Sequence, residues 1–159
     1  MRRRILSAKW LSLTASLSIC FAGFSVAAHA ATYVGSKMCA ECHEEEYESY
    51  AKYAKKARSF MAIEKMRDHL STEEVRNCYG CHTTGYGKPG GFEDESKTPD
   101  LKNVGCEVCH GPGSDHVESE DIEDIWAEAD EIKKVCSSCH TTERVEAFNF
   151  KPLLHGGAH

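Results

Sequence analysis

Cys39-Ala40-Glu41-Cys42-His43 is the first of four copies of one pattern, Cys-x-x-Cys-His. The other copies occupy residues 78–82, 106–110 and 136–140. Two cysteines one helical turn apart can each form a thioether with a haem vinyl group, and the imidazole of the next residue can then ligate the iron. The pattern therefore predicts four covalently attached c-type haems and a fold organised around them.

Each motif supplies two anchoring cysteines and one proximal iron ligand. The anchors are Cys39, Cys42, Cys78, Cys81, Cys106, Cys109, Cys136 and Cys139. The proximal ligands are His43, His82, His110 and His140. Zinc sites and dithiol redox sites are alternatives, but neither explains a histidine directly after every second cysteine. A disulfide framework is a further alternative, but it does not require the same Cys-x-x-Cys spacing to occur four times.

The first thirty residues have the pattern of a secretory signal peptide. Three arginines at positions 2–4 precede an apolar stretch over residues 10–28, which ends at the small-residue site Ala28-His29-Ala30. Several serines dilute the stretch, so we expect cleavage before Ala31 rather than an uncleaved anchor. This predicts a periplasmic or extracellular protein with no stable membrane span after cleavage.

The mature chain, residues 31–159, is acidic. It carries 15 Lys and Arg against 25 Asp and Glu, and its eight cysteines all belong to the motifs, since Cys20 lies in the signal peptide. An acidic surface excludes nucleic acid as a partner and favours redox proteins with basic surfaces or extracellular acceptors, although it also simply serves solubility.

We expect one domain of the mainly α class, with extensive loops and little or no β structure, wrapped around the four haems. A chain this short buries little aliphatic core, so the macrocycles must supply much of the apolar interior. Apolar periodicity predicts a long helix over residues 44–70, with Met61 on its haem-facing stripe, and a second over 118–135 that leads into the fourth motif. Ser71-Thr72-Glu73-Glu74 is a capping box before a helix that delivers Cys78. Residues 85–100 are predicted to be a surface loop.

Four histidines of the mature chain lie outside the motifs and are candidates for sixth iron ligands. His116 follows the turn Gly111-Pro112-Gly113, which can fold the chain back onto another haem. His155 has apolar neighbours, where an unpaired imidazole is costly. His69 is either a ligand or a complement to its helix dipole. His159 is the last residue, where chains fray.

Three stretches carry a resemblance to a known family: Tyr33-Val34-Gly35-Ser36, Cys81-His82-Thr83-Thr84-Gly85-Tyr86, and Val104-Gly105-Cys106-Glu107-Val108-Cys109-His110-Gly111-Pro112-Gly113-Ser114-Asp115-His116. They resemble the tetrahaem cytochrome c-554 family. Its members include periplasmic electron carriers of ammonia-oxidising bacteria and, in metal-reducing bacteria, an extracellular filament subunit. The mature chain is more similar to the second group.

The resemblance implies close haem pairs, with His116 as ligand of the first haem and a tail histidine as ligand of the fourth. It also implies a distal histidine for the third haem within residues 56–59, where this chain has Lys56, Ala57, Arg58 and Ser59. The missing ligand leaves three possibilities. His69 replaces it, another chain donates an imidazole, or one iron is five-coordinate.

The leading functional hypothesis is an electron carrier, not an enzyme, in which mostly bis-histidine haems pass electrons between redox donors and acceptors. A second hypothesis is a filament in which copies of the chain polymerise as a wire. A third is a reductase of nitrogen oxides at an open iron. We rank it last because no acid–base constellation accompanies the missing ligand.

Overall fold

A computed structural model of the chain describes residues 30–126 and 128–141. Seven α-helices lie in these residues: α1 Ser36–Cys39, α2 Glu44–Tyr53, α3 Phe60–Met66, α4 Thr72–His82, α5 Cys106–His110, α6 Ser114–Ser119 and α7 Ala129–Cys139. Short 3₁₀ helices occupy Lys55–Arg58, Arg67–His69, Pro99–Leu101 and Ile122–Asp124. These residues contain no β-strand, which confirms the mainly α class, and no helix long and apolar enough to cross a membrane.

Two groups of predictions fall outside this part of the chain. Residues 1–29 of the predicted signal peptide (residues 1–30) and the tail with His155 and His159 are not among the described residues. Cleavage of the signal peptide and ligation of iron by His155 or His159 therefore stay predictions.

Helix α4 begins with the capping box that the sequence predicts. The Ser71 hydroxyl accepts a hydrogen bond from the Glu74 backbone N–H at 3.3 Å, and the Glu74 carboxylate accepts one from the Ser71 N–H at 2.9 Å. These bonds satisfy two N–H groups that have no partner within the helix. The helix then runs to His82, so it carries the whole second motif.

Replacing Ser71 with alanine is expected to lower the free energy of unfolding by about 1 kcal/mol, because alanine cannot accept the hydrogen bond from the Glu74 N–H at the start of α4. The matched control is Ser137→Ala, an exposed serine inside α7 whose hydroxyl bonds the Lys133 carbonyl. That change should stay within about 0.5 kcal/mol, since alanine favours helix interiors. Denaturant unfolding of the haem-loaded protein measures both, and equal losses would contradict the role of the cap.

The predicted long helix over residues 44–70 is wrong, because the chain leaves the α conformation at Ala54. Helix α2 ends at Tyr53, Ala54 is extended with ψ 121°, and α3 starts only at Phe60. Contacts with distant residues explain the break. The Tyr50 hydroxyl donates to the Val104 carbonyl at 2.9 Å, and burial of Ala54 draws the chain inward. Tertiary contacts thus override a sequence pattern that favours a continuous helix.

The predicted helix over residues 118–135 is also interrupted. Helix α6 ends at Ser119, Glu120 takes a left-handed conformation with φ 58°, and α7 begins at Ala129. The intervening chain pairs with the third motif, where Trp126 N–H donates to the His110 carbonyl at 2.9 Å. Only the C-terminal half of the prediction, a helix that leads into the fourth motif, is confirmed.

The aliphatic and aromatic core is small. Five buried side chains form it: Phe60, Ile63, Val75, Phe92 and Leu101. Phe92 comes from the predicted surface loop, and it is only 2% exposed. The loop folds inward because Phe92 N–H donates to the Thr84 carbonyl, and Gly91 passes so close to Gly85 that a Cβ would lie 1.8 Å from its oxygen. The loop prediction therefore holds for the backbone but not for Phe92.

Candidate functional site

All four motifs lie on helices or directly next to them. The first motif begins at the last residue of α1, and its His43 directly precedes α2. The second motif forms the C-terminal end of α4, and the third motif is the whole of α5. The cysteines of the fourth motif lie at the C-terminal end of α7, and His140 directly follows that helix. All eight motif cysteines are described and none forms a disulfide. No three His, Cys, Asp or Glu side chains within residues 30–126 and 128–141 converge as a zinc ion would need.

Each motif adjoins at least one other motif. The thiols of Cys39 and Cys106 interact, and this hydrogen bond raises the pKa of Cys39 and lowers the pKa of Cys106 to about 6. Motif 1 therefore meets motif 3. Helices α5 and α7 pack together, which joins motifs 3 and 4. The Cys139 sulfur lies 3.9 Å from the Gly80 carbonyl, which joins motifs 4 and 2.

Charge and burial also act on the second cysteine of motif 3. Burial raises the pKa of the Cys109 thiol, while the nearby Lys56 ammonium lowers it and Cys136 raises it. Lys56 thus lies close to the third motif, in the stretch where the resemblance implies a histidine. The side chain at this place is cationic.

Three imidazoles are oriented by backbone carbonyls. The Nδ1 atoms of His82, His110 and His116 each lie 2.8 Å from a carbonyl oxygen, namely that of Ser59, Trp126 and Asp121 respectively. A carbonyl can only accept, so Nδ1 carries the proton and the lone pair is on Nε2. This is the tautomer that a metal ligand with a supporting hydrogen bond adopts.

His116 lies opposite the proximal histidine of the first motif. The ring centroids of His43 and His116 are 6.3 Å apart, and the ring planes differ by 21°. A metal–imidazole bond is about 2.0 Å long and the ring centre lies about 1.1 Å behind the nitrogen, so two imidazoles on one iron have centroids about 6 Å apart. The separation therefore fits a single iron atom between the two rings.

The remaining candidate ligands lie elsewhere. His69 is exposed at the end of the 3₁₀ helix Arg67–His69, and no ring contact in the described part of the chain joins it to a motif histidine. Met61, the other candidate on the predicted stripe, is 46% exposed. His155 lies outside the described residues.

Two residues that the sequence analysis did not single out support the site. Ser59 bridges two motifs: its hydroxyl donates to the His82 carbonyl at 2.9 Å and accepts from the Val104 N–H at 2.9 Å. Glu107, between the cysteines of the third motif, is 2% exposed and accepts three backbone hydrogen bonds. No sequence signal could have found either, because most of their partners are backbone groups more than twenty residues away.

Residues 38–111 match the family model described as cytochrome c554 and c-prime. This part of the chain is similar to the cytochrome c-554 family. The resemblance predicted from the sequence motifs is thereby confirmed, and with it the similarity to c-type cytochromes.

A curated relative agrees with this assignment. Cytochrome c-554 of Nitrosomonas europaea is 31% identical over 115 residues, which cover 64% of this chain and 47% of the relative. The chain thus spans about half the length of the curated relative that it matches. No solved structure matches the chain.

Proposed function

We propose that the protein is a tetrahaem c-type cytochrome that carries electrons outside the cytoplasm. The observation that supports this most strongly is the fourfold Cys-x-x-Cys-His pattern on helices of a chain that is similar to the cytochrome c-554 family. When bound, the haem irons supply the one-electron chemistry by changing between the ferric and ferrous states. The protein residues anchor, orient and shield these groups.

The motif residues divide that work between them. The eight motif cysteines would hold the four haems by thioethers, and His43, His82, His110 and His140 would each ligate one iron. His116 would be the second ligand at the first site, a role that the 6.3 Å separation of its ring from that of His43 supports. By resemblance, a tail histidine such as His155 serves the fourth haem. His69 is the remaining candidate within the chain for the third.

The contacts between the motifs support a continuous path for electrons. Because motif 1 adjoins 3, motif 3 adjoins 4 and motif 4 adjoins 2, no attachment site is isolated. Electrons would pass between neighbouring haems within one chain.

The balance of apolar side chains supports haem packing as well. In the described residues only five of the seven buried apolar side chains form one cluster, whereas seven large apolar side chains are exposed: Met38, Tyr53, Met61, Met66, Val117, Ile122 and Trp126. A chain built around macrocycles is expected to keep such side chains for contacts with them. We therefore propose a single domain, residues 31–159, wrapped around its haems.

Location and partners follow from the signal peptide and the charge. Cleavage after residue 30 would release the protein to the periplasm or the cell exterior, and its acidic surface would favour redox partners with basic surfaces. No observation in the described residues favours the filament or the reductase over the carrier.

A reductive titration of the secreted, haem-loaded protein tests the proposal. We expect four electron equivalents per chain, an intact mass that exceeds the polypeptide by four haems, and no binding of nitric oxide or cyanide to the ferrous or ferric irons. A chain with bare thiols or bound zinc would contradict the proposal. Rapid binding of nitric oxide would instead favour the reductase.

A further inference from the structure

Glu107 is a buried carboxylate, only 2% exposed. None of the ion pairs within the described residues involves it. A buried charge is costly unless hydrogen bonds compensate for the lost hydration. Three backbone N–H groups do so here: those of Val34 at 2.9 Å, Gly35 at 2.7 Å and Gly113 at 2.8 Å.

The three donors belong to two segments that are far apart in sequence. Val34 and Gly35 directly precede α1, which leads through the first motif to His43. Gly113 directly precedes α6, on which His116 lies. The carboxylate therefore joins the segment that delivers one imidazole of the facing pair to the segment that delivers the other.

Neighbouring contacts join the same two segments at the surface. Thr32 and Ser114 exchange hydrogen bonds, in which the Thr32 N–H donates to the Ser114 hydroxyl at 2.8 Å and the Ser114 N–H donates to the Thr32 carbonyl at 3.1 Å. Gly113 allows the close approach, because a Cβ there would lie 3.3 Å from the Glu107 carboxylate. Glu107 is the buried, charged member of this set, and charge-assisted bonds are the stronger ones.

We infer that Glu107 is a positioning residue that sets the separation of the His43 and His116 imidazoles, and thereby holds His116 on the iron of the first haem. The inference rests on the proposed function, in which these two histidines ligate one haem. A carboxylate suits three N–H donors because both of its oxygens only accept. A glutamine would turn an NH₂ group towards one of the donors, which repels that segment and moves the two rings apart.

Electron paramagnetic resonance of the oxidised protein tests this inference with Glu107→Gln. We expect one of the four haems to change from low spin to high spin, and added imidazole to restore the low-spin signal. A purely structural role would lower stability without a spin change that imidazole reverses. The matched control is Glu118→Gln, an exposed position on α6, which should leave all four signals unchanged.

A second variant covers the case in which Glu107→Gln does not accumulate. Gly113→Ala keeps an allowed backbone conformation, with φ −100°, and places a methyl group 3.3 Å from the carboxylate. It should produce a partial spin change at the same haem. Unchanged spectra in whichever of the two variants accumulate overturn the inference.

Comparison with His116→Ala separates the inference from the proposed function. If His116→Ala converts one haem and Glu107→Gln converts none, the positioning role fails and the ligand assignment stands. If His116→Ala itself leaves the spectrum unchanged, the ligand assignment fails.

Discussion

Replacing Cys106 and Cys109 together with serine is expected to remove most of the secreted protein, and not merely one haem in four. The third motif adjoins motif 1 through Cys106 and motif 4 through the packing of α5 on α7. In the part of the chain that the structure describes, the buried apolar cluster has only five members, so it could not compensate for the loss of a haem at this motif. We expect a loss of about tenfold or more, since 1–2 kcal/mol already changes abundance several-fold.

Haem staining and immunoblotting of the secreted fraction measure this effect. The control is Cys20→Ser, which changes the one cysteine outside the motifs and should leave the number of haems per chain unaltered. A stable double variant that carries three haems at wild-type abundance would contradict the central place of motif 3.

Local signals in the sequence predict local structure well in this chain. The capping box at Ser71 and Glu74 is confirmed because both of its hydrogen bonds form within four residues. The mainly α class follows from the same kind of signal. The Cys-x-x-Cys-His motifs are equally local, and the stretches around them carry the family resemblance that the comparison confirms.

Long-range contacts explain what the sequence could not predict. Ala54 is extended although its neighbours favour a helix, because Tyr50 bonds Val104, 54 residues away. Glu107 bonds Val34 and Gly35, 73 and 72 residues away. An apolar pattern records which side chains prefer burial, but it does not record which backbone N–H a buried carboxylate will find.

The candidate iron ligands show the same difference between local sequence signals and long-range contacts. The proximal histidines are predicted from the motif itself, whereas the position of His116 depends on the turn before α6 and on the segment before α1. The turn was visible as Gly111-Pro112-Gly113, and the structure brings His116 to the first motif. No signal of that kind surrounds His69, which lies exposed at the end of a 3₁₀ helix.

Replacing His116 with alanine is expected to convert one of the four haems from low spin to high spin. The imidazole faces His43 with ring centroids 6.3 Å apart, and the Asp121 carbonyl holds its Nδ1 at 2.8 Å, so that Nε2 carries the lone pair. Alanine removes that nitrogen and leaves the sixth position of one iron open to small ligands. Absorption and paramagnetic resonance spectra measure the change, and cyanide or added imidazole should bind at one haem per chain.

The control for this substitution is Val117→Ala, a similar truncation at the next position of α6, where the side chain is 43% exposed. It perturbs the helix without removing a nitrogen, so all four haems should stay low spin. If both variants give one high-spin haem, the helix and not the imidazole is responsible. If His116→Ala keeps four low-spin haems that bind no cyanide, another group ligates the first iron. The 6.3 Å separation of the His43 and His116 rings then has a cause other than a shared iron.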